Sequence, residues 1–295
     1  MKRFYYTILI CLLGLFVADR AGGYALSVIG EHSNIEFNQK MNTMMHGNND
    51  FLLMGTSRCH HHYVSQMMID SLGVDLYNAG IKKSGNIYSF YFELCLLLKY
   101  HVPKVILLDL YVQDLYYHDI NYLNQFGPYL GIDDEADEFF AQVNEDYPLH
   151  QASHLYRHNS HVLAKTLGVF YTNYHDDHGY SPAQAASGPI KLQVDTTRYT
   201  PEKSRVDAIE KFILKCKEKN IKLILSISPE LYIRNEYHYD PIVALARKYD
   251  LPLIQNQRLL IDYPNYFRDN FHLCHNGAVV FTEKLITQLK PLLKY

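Results

Sequence analysis

The sequence predicts an α/β protein: three layers, α/β/α, around a central parallel sheet, with a helical and loop insertion. Three observations predict it. Short, wholly apolar runs recur and stop at glycine or proline, as strands buried on both faces do. Helical stretches alternate with them, which implies parallel pairing with helices on both sides. The 295 residues are 48% hydrophobic, enough for a sizeable core and too many for a disordered chain.

The elements follow in order. "DFLLMG" (50–55) is the first strand, and residues 62–72 read as a helix. "VDLYNAG" (74–80) is a second strand ending in Gly80. "NIYSFYFELCLLLKYH" (86–101) has helical periodicity with apolar residues nearly all round, so it is expected to be buried, and Pro103 stops it. "KVILLDLYV" (104–112) is the strongest strand signal in the chain. Residues from about 113 to 200 break the rhythm and read as an insertion of helices and a long loop. The alternation resumes with a helix over 200–220, capped by Thr200 with Pro201 at its first position. A strand over 221–229, a helix over 239–249, the short strand "LPLIQ" and a final amphipathic helix complete a single domain spanning 45–295.

The N-terminus is different. Lys2 and Arg3 precede fifteen mostly apolar residues, Phe4 to Ala18. As a helix these span about 22 Å, less than the ~30 Å hydrocarbon core, which favours a signal peptide. "AGGYALSVIG" continues apolar and no small-x-small cleavage site follows, which favours an anchor. Residues 1–24 are therefore a signal peptide or a membrane anchor, and the positive flank places the remainder outside the cytoplasm. The formal net charge of −3 gives no basic stripe for nucleic acid. None of the five cysteines forms a C-x-x-C pair.

In doubly wound sheets, ligands bind past the carboxyl ends of the strands. Ser57, Gly80, Gln113 and Ser228 all follow strand ends and should share one rim. A serine hydroxyl there needs a base to take its proton and a third group to hold that base. "DNFHL" (269–273) offers both: an Asp-x-x-His spacing lets Asp269 accept the His272 N–H and turn the other ring nitrogen outward. Taken singly, Ser57 is also an ordinary turn residue, and Asp269 and His272 an ordinary helix-capping pair.

"MGTSR" (54–58), "NAG" (78–80) and "DNFHL" (269–273) resemble blocks one, two and five of the SGNH (GDSL-like) hydrolases, a family of flavodoxin-like α/β/α fold. The resemblance covers most of residues 50–290. It is closest to extracytoplasmic, membrane-anchored members related to polysaccharide O-acetylation, which also carry a Gly-Ser/Thr-Ser turn. It implies Ser57 as nucleophile, His272 as base and Asp269 as its orienting acid, with oxyanion donors from Ser57 and Gly80. The family's block three, Gly-x-Asn-Asp, is "YVQD" here (111–114), so Gln113 stands where an Asn amide is expected, with Asn86 or Arg58 as other donors. Arg58 is also placed to bind an anionic or sugar group, or to form a salt bridge.

The run His60-His61-His62 and the pair His175/His178 lack nearby carboxylate motifs, so no metal and no cofactor is expected. Tyr111, Tyr116 and Tyr117 are candidates for sugar stacking or for core packing. The leading expectation is an extracytoplasmic serine esterase or O-acyltransferase acting on an O-acylated, acetylated glycan or similar ester. The alternative is an inactive glycan-binding or scaffold protein of the cell envelope on the same fold. A third is an envelope protein whose sheet rim is only structural.

Overall fold

The computed structural model describes residues 1–82, 87–116, 121–158, 168 and 177–293. In chain order the elements are α1 (Lys2–Glu31), α2 (Glu36–His46), β1 (Phe51–Gly55), α3 (Ser57–His62), α4 (Ser65–Leu72), β2 (Leu76–Asn78), α5 (Ile87–Leu98), β3 (Val105–Asp109), α6 (Asp134–Val143), α7 (Tyr147–Ala152), β4 (Gln193–Asp195), α8 (Lys203–Glu218), β5 (Lys222–Ile227), β6 (Tyr232–Arg234), α9 (Asp240–Tyr249), β7 (Leu253–Gln255) and α10 (His275–Leu293).

The sheet order is β2-β1-β3-β5-β7, every pair parallel. This is the doubly wound order that reverses between β1 and β3, the predicted flavodoxin-like arrangement. β1 and β3 are buried along their whole lengths, which explains their unbroken apolar runs. Residues Ile87 to Leu97 of α5 are buried on all sides, as its encircling apolar pattern requires.

Register decides what meets at the carboxyl edge. Gly55 pairs with Asp109, and Asp109 with Ser226, so one polar row crosses the end of an apolar sheet. Gly55 has φ +154, and a β-carbon there would lie 2.9 Å from the Asp109 carbonyl oxygen. Gly80 is equally confined: its β-carbon would stand 2.6 Å from the His60 amide nitrogen. Glycine at these two positions lets β1 and the turn after β2 press against the segment carrying Ser57.

Two expectations differ from what forms. The helix expected over 62–72 begins at Ser65 as α4, after the separate short helix α3 and a break at Tyr63 and Val64. α8 starts at Lys203 rather than after Thr200. Glu202 takes the capping place, its carboxylate accepting from Arg205 Nε at 2.7 Å and Ser204 Oγ at 3.0 Å. The chain divides into two compact units: Met1–Asn42 with Ile120–Tyr174, and Thr43–Asp119 with His175–Tyr295.

Within the first unit, α1 runs for 30 residues and is long and apolar enough, by length and composition, to cross a membrane. Its side chains from Phe4 to Val17 are largely exposed. Beyond them, Asp19 accepts from the amides of His154 (2.9 Å) and Leu155 (3.1 Å) and from Ser153 Oγ. Within the second unit, β4 and β6 form a separate two-stranded parallel ribbon. No expectation anticipated it.

Candidate active site

β1 ends at Gly55, Thr56 accepts from the Arg58 amide, and Ser57 becomes the first residue of α3. Its N–H is thus among the amides a helix start leaves without an intrahelical acceptor. Its hydroxyl lies 2.7 Å from His272 Nε2. His272 is held by a turn of its own: Asp269 Oδ1 accepts from the amides of Phe271 (2.8 Å) and His272 (2.9 Å), and Arg268 N–H donates to the His272 carbonyl at 2.8 Å. Both Asp269 oxygens stand 3.0 Å from His272 Nδ1. A carboxylate only accepts, so Nδ1 carries the hydrogen and Nε2 offers its lone pair to the Ser57 hydroxyl. Burial works to raise the Asp269 pKa, yet the His272 hydrogen bond and charge, with the two amides, hold it below the ordinary carboxylate value.

The other expected donors fare differently. The Gly80 N–H donates to Asn78 Oδ1 at 3.0 Å, because Asn78 closes a turn over it. In this arrangement Asn78 holds that amide. Gln113 lies in the 3₁₀ turn Val112–Leu115, and its side chain lies outside what is described. Asn86 also lies outside the described residues.

Arg58 is corrected outright as a substrate-facing residue. It is 1% exposed, and its guanidinium donates to Ser228 through Nε (3.2 Å to Oγ) and Nη2 (to Oγ and the carbonyl). Nη1 stands 3.6 Å from Glu230, and the group lies 4.6 Å from the centre of the Tyr111 ring. Glu230 in turn pairs with Arg234, which reaches Asp195 at 3.2 Å. A charge so deep needs a partner, and the salt-bridge alternative is the one realised.

Beneath the Ser57–His272 pair lies a buried polar network with little signature in the sequence. Asp109, the last residue of β3, accepts from Tyr63 Oη (2.6 Å), the Ser228 amide (3.1 Å) and Ser228 Oγ (3.1 Å). Burial raises its pKa, against the pull of Arg58, Tyr63 and Ser228. Ser228 is therefore fully buried under the rim rather than on it. The available signal was a lone acid closing the apolar run "VILLD".

The adjacent histidines tie α3 to its neighbours. His61 Nδ1 lies 2.7 Å from the Ser181 carbonyl. Its burial, with Lys82, His272 and Arg268 nearby, brings its pKa down to about 4 against the Ser181 carbonyl. His62 is wholly buried, and burial first, then Arg58, hold its pKa well below the ordinary value. Beside Asp269 an open cleft of about 810 Å³ runs between residues 182–191 and 268–270. Half-buried Tyr111 packs against the guanidinium groups of Arg58 and Arg234, and beside His272 the rings of Phe271 and Tyr232 stack, parallel to within 19° with centroids 5.1 Å apart.

The fold and this geometry define a doubly wound α/β protein with a serine–histidine–aspartate constellation at the switch point of its sheet. No family model matches the chain, and no curated protein matches it. Among solved structures it is similar to the acetyl xylan esterase AlAXEase, at 14% identity over 81% of this chain and 99% of that one, with a TM-score of 0.42. It is also similar to the acetyl xylan esterase Est2A from the rumen bacterium Butyrivibrio proteoclasticus, at 12% identity over 83% and 64% of the two chains, with a TM-score of 0.41. Both likenesses are distant.

Proposed function

We propose that the chain is an SGNH-type serine esterase or O-acyltransferase that acts outside the cytoplasm on O-acylated glycans. The observation that carries this reading is the alignment of three groups: Ser57 Oγ 2.7 Å from His272 Nε2, with Asp269 3.0 Å from His272 Nδ1. His272 takes the Ser57 proton as the oxygen attacks the acyl carbonyl, and Asp269 stabilises the resulting imidazolium. Collapse of the tetrahedral adduct breaks the ester bond. The departing sugar oxygen takes the proton from His272, leaving the acyl group on Ser57. Water or a second hydroxyl then attacks with His272 again the base; the Ser57 Oγ–acyl bond breaks, and Ser57 takes back the proton from His272 as the acid or new ester leaves.

On this reading the first oxyanion donor is the Ser57 amide, at the first position of α3. Gly80 becomes a second only if its N–H leaves Asn78, and one missing donor costs about 2.7–4 kcal/mol of transition-state stabilisation. The cleft beside Asp269, lined by Gln184, Ser187, Lys191, Arg268 and Asn270, suits a hydroxyl-rich ligand. α1 serves as the membrane anchor.

A fluorophosphonate probe tests the reading. Labelling of the full chain, lost in Ser57→Ala, is the expected result, together with release of p-nitrophenol from p-nitrophenyl acetate. The occupied Gly80 amide and the absent block-three Asn favour a second reading, a non-catalytic glycan-binding or scaffold protein. A folded chain that takes no label decides for it.

A further inference from the structure

We propose that His62 is a positioning residue: a neutral imidazole strut that fixes the His272 segment against the helix carrying Ser57. The inference rests on the esterase reading above and assigns a use to a buried ring that the chemistry itself does not touch.

The hydrogen bonds fix the ring's state. His62 Nε2 lies 3.0 Å from the backbone nitrogen of Leu273, the residue after His272. An amide N–H only donates, so Nε2 must be the acceptor and the ring hydrogen sits on Nδ1. Nδ1 stands 3.0 Å from Ser228 Oγ and donates to it. That hydroxyl passes its own hydrogen to Asp109 Oδ2 at 3.1 Å. The chain of donors therefore has one direction, from Leu273 through His62 and Ser228 to Asp109. A protonated or flipped ring would set two N–H groups against each other.

The placement explains why this matters to Ser57 and His272. α3 is six residues long, with Ser57 at one end and His62 at the other. Thr282 on α10 donates its hydroxyl to the His62 carbonyl at 3.3 Å and accepts from the Val64 amide at 3.0 Å. His62 thus joins α3 to the His272 segment through its ring and to the following helix through its backbone. Its ring stands nearly perpendicular to that of His272, with centroids 6.4 Å apart. The ionisable groups facing it are Arg58, His61 and His272. Displacing reacting groups by about 1 Å costs on the order of 100-fold in rate.

The test compares the full chain with His62→Phe, which keeps a planar ring and removes both nitrogens, and His62→Gln, whose amide oxygen restores an acceptor toward Leu273. With p-nitrophenyl acetate, His62→Phe should lose about 100-fold in kcat with KM within about 2-fold, and His62→Gln should recover most of that loss. A folded His62→Phe with wild-type kcat overturns the proposal, as does equal loss in both variants through KM. Should His62→Phe not fold, ¹⁵N NMR of the histidine-labelled wild-type chain decides. A non-titrating Nδ1–H tautomer at pH 5–8 supports the strut, and an Nε2–H or titrating ring removes it. A wild-type chain inert to both the ester and the fluorophosphonate overturns the esterase reading itself, an outcome distinct from an active chain indifferent to His62.

Discussion

Asp269 accepts four hydrogen bonds' worth of contact from a single turn, two from amides and two toward the His272 ring. The amides alone do not need its charge, whereas an imidazolium does. Asp269→Asn should therefore fold normally and lose about 10⁴-fold in kcat/KM for an acetyl ester at neutral pH, read by steady-state kinetics beside a thermal melt. Arg58 calls for the opposite measurement. Replacing it with Met leaves Glu230 and Asp109 buried with one cation fewer, so urea unfolding should show a loss of about 3–5 kcal/mol, and ester KM in the folded fraction should not change. The difference between these residues also explains what was readable beforehand. Asp269 and His272 are three apart and speak for each other, and Ser57 sits at a strand end that pattern alone locates. Arg58 finds Ser228 at a separation of 170 residues, and no local feature announces that partner.

Elements were legible where burial is total. β1, β3, β5 and α5 announce themselves because both faces, or all sides, must be apolar. The β4–β6 ribbon was not, since each strand is three residues long and largely exposed or intermediate, with no period to detect. α1 lies between these cases. Its apolar run was plain, but its continuation to Glu31 depends on contacts made by residues 153–155 and on Ser27 Oγ, 3.3 Å from His158 Nε2. Cleavage near residue 24 would remove Asp19 from the amides and hydroxyl it satisfies. The full-length chain should accordingly resist extraction from membranes at alkaline pH and show an intact N-terminus by mass spectrometry. A soluble product beginning near residue 25 would contradict this.

At the scale of the molecule, the return of residues 120–174 to the company of residues 1–42 escaped the sequence reading because amphipathic helices do not name the surface they cover. Acid sensitivity is also a property of the whole fold. His61 and His62 bind protons more weakly when folded than the ordinary histidine value near 6.5. The unfolded chain therefore takes up more protons as pH falls below ~6.5, and stability present above that pH is lost on the way down to about 4. For His61 the loss is on the order of 3 kcal/mol. Asp109 and Asp137, raised by burial, act with the opposite sign, while His150 and His154, lowered by burial, act with His61 and His62. Urea midpoints measured from pH 7.5 to 4.5 should fall steadily, and a flat profile would show that these rings titrate normally.

The Ser57 hydroxyl and the His272 ring are separated by 215 positions along the chain. A ribosome delivers the serine first and the imidazole 215 residues later. On the proposed esterase reading, a nascent chain that stops short of His272 carries no armed nucleophile, and reactivity toward esters begins once that segment has found its place. The order of manufacture acts as a safety catch.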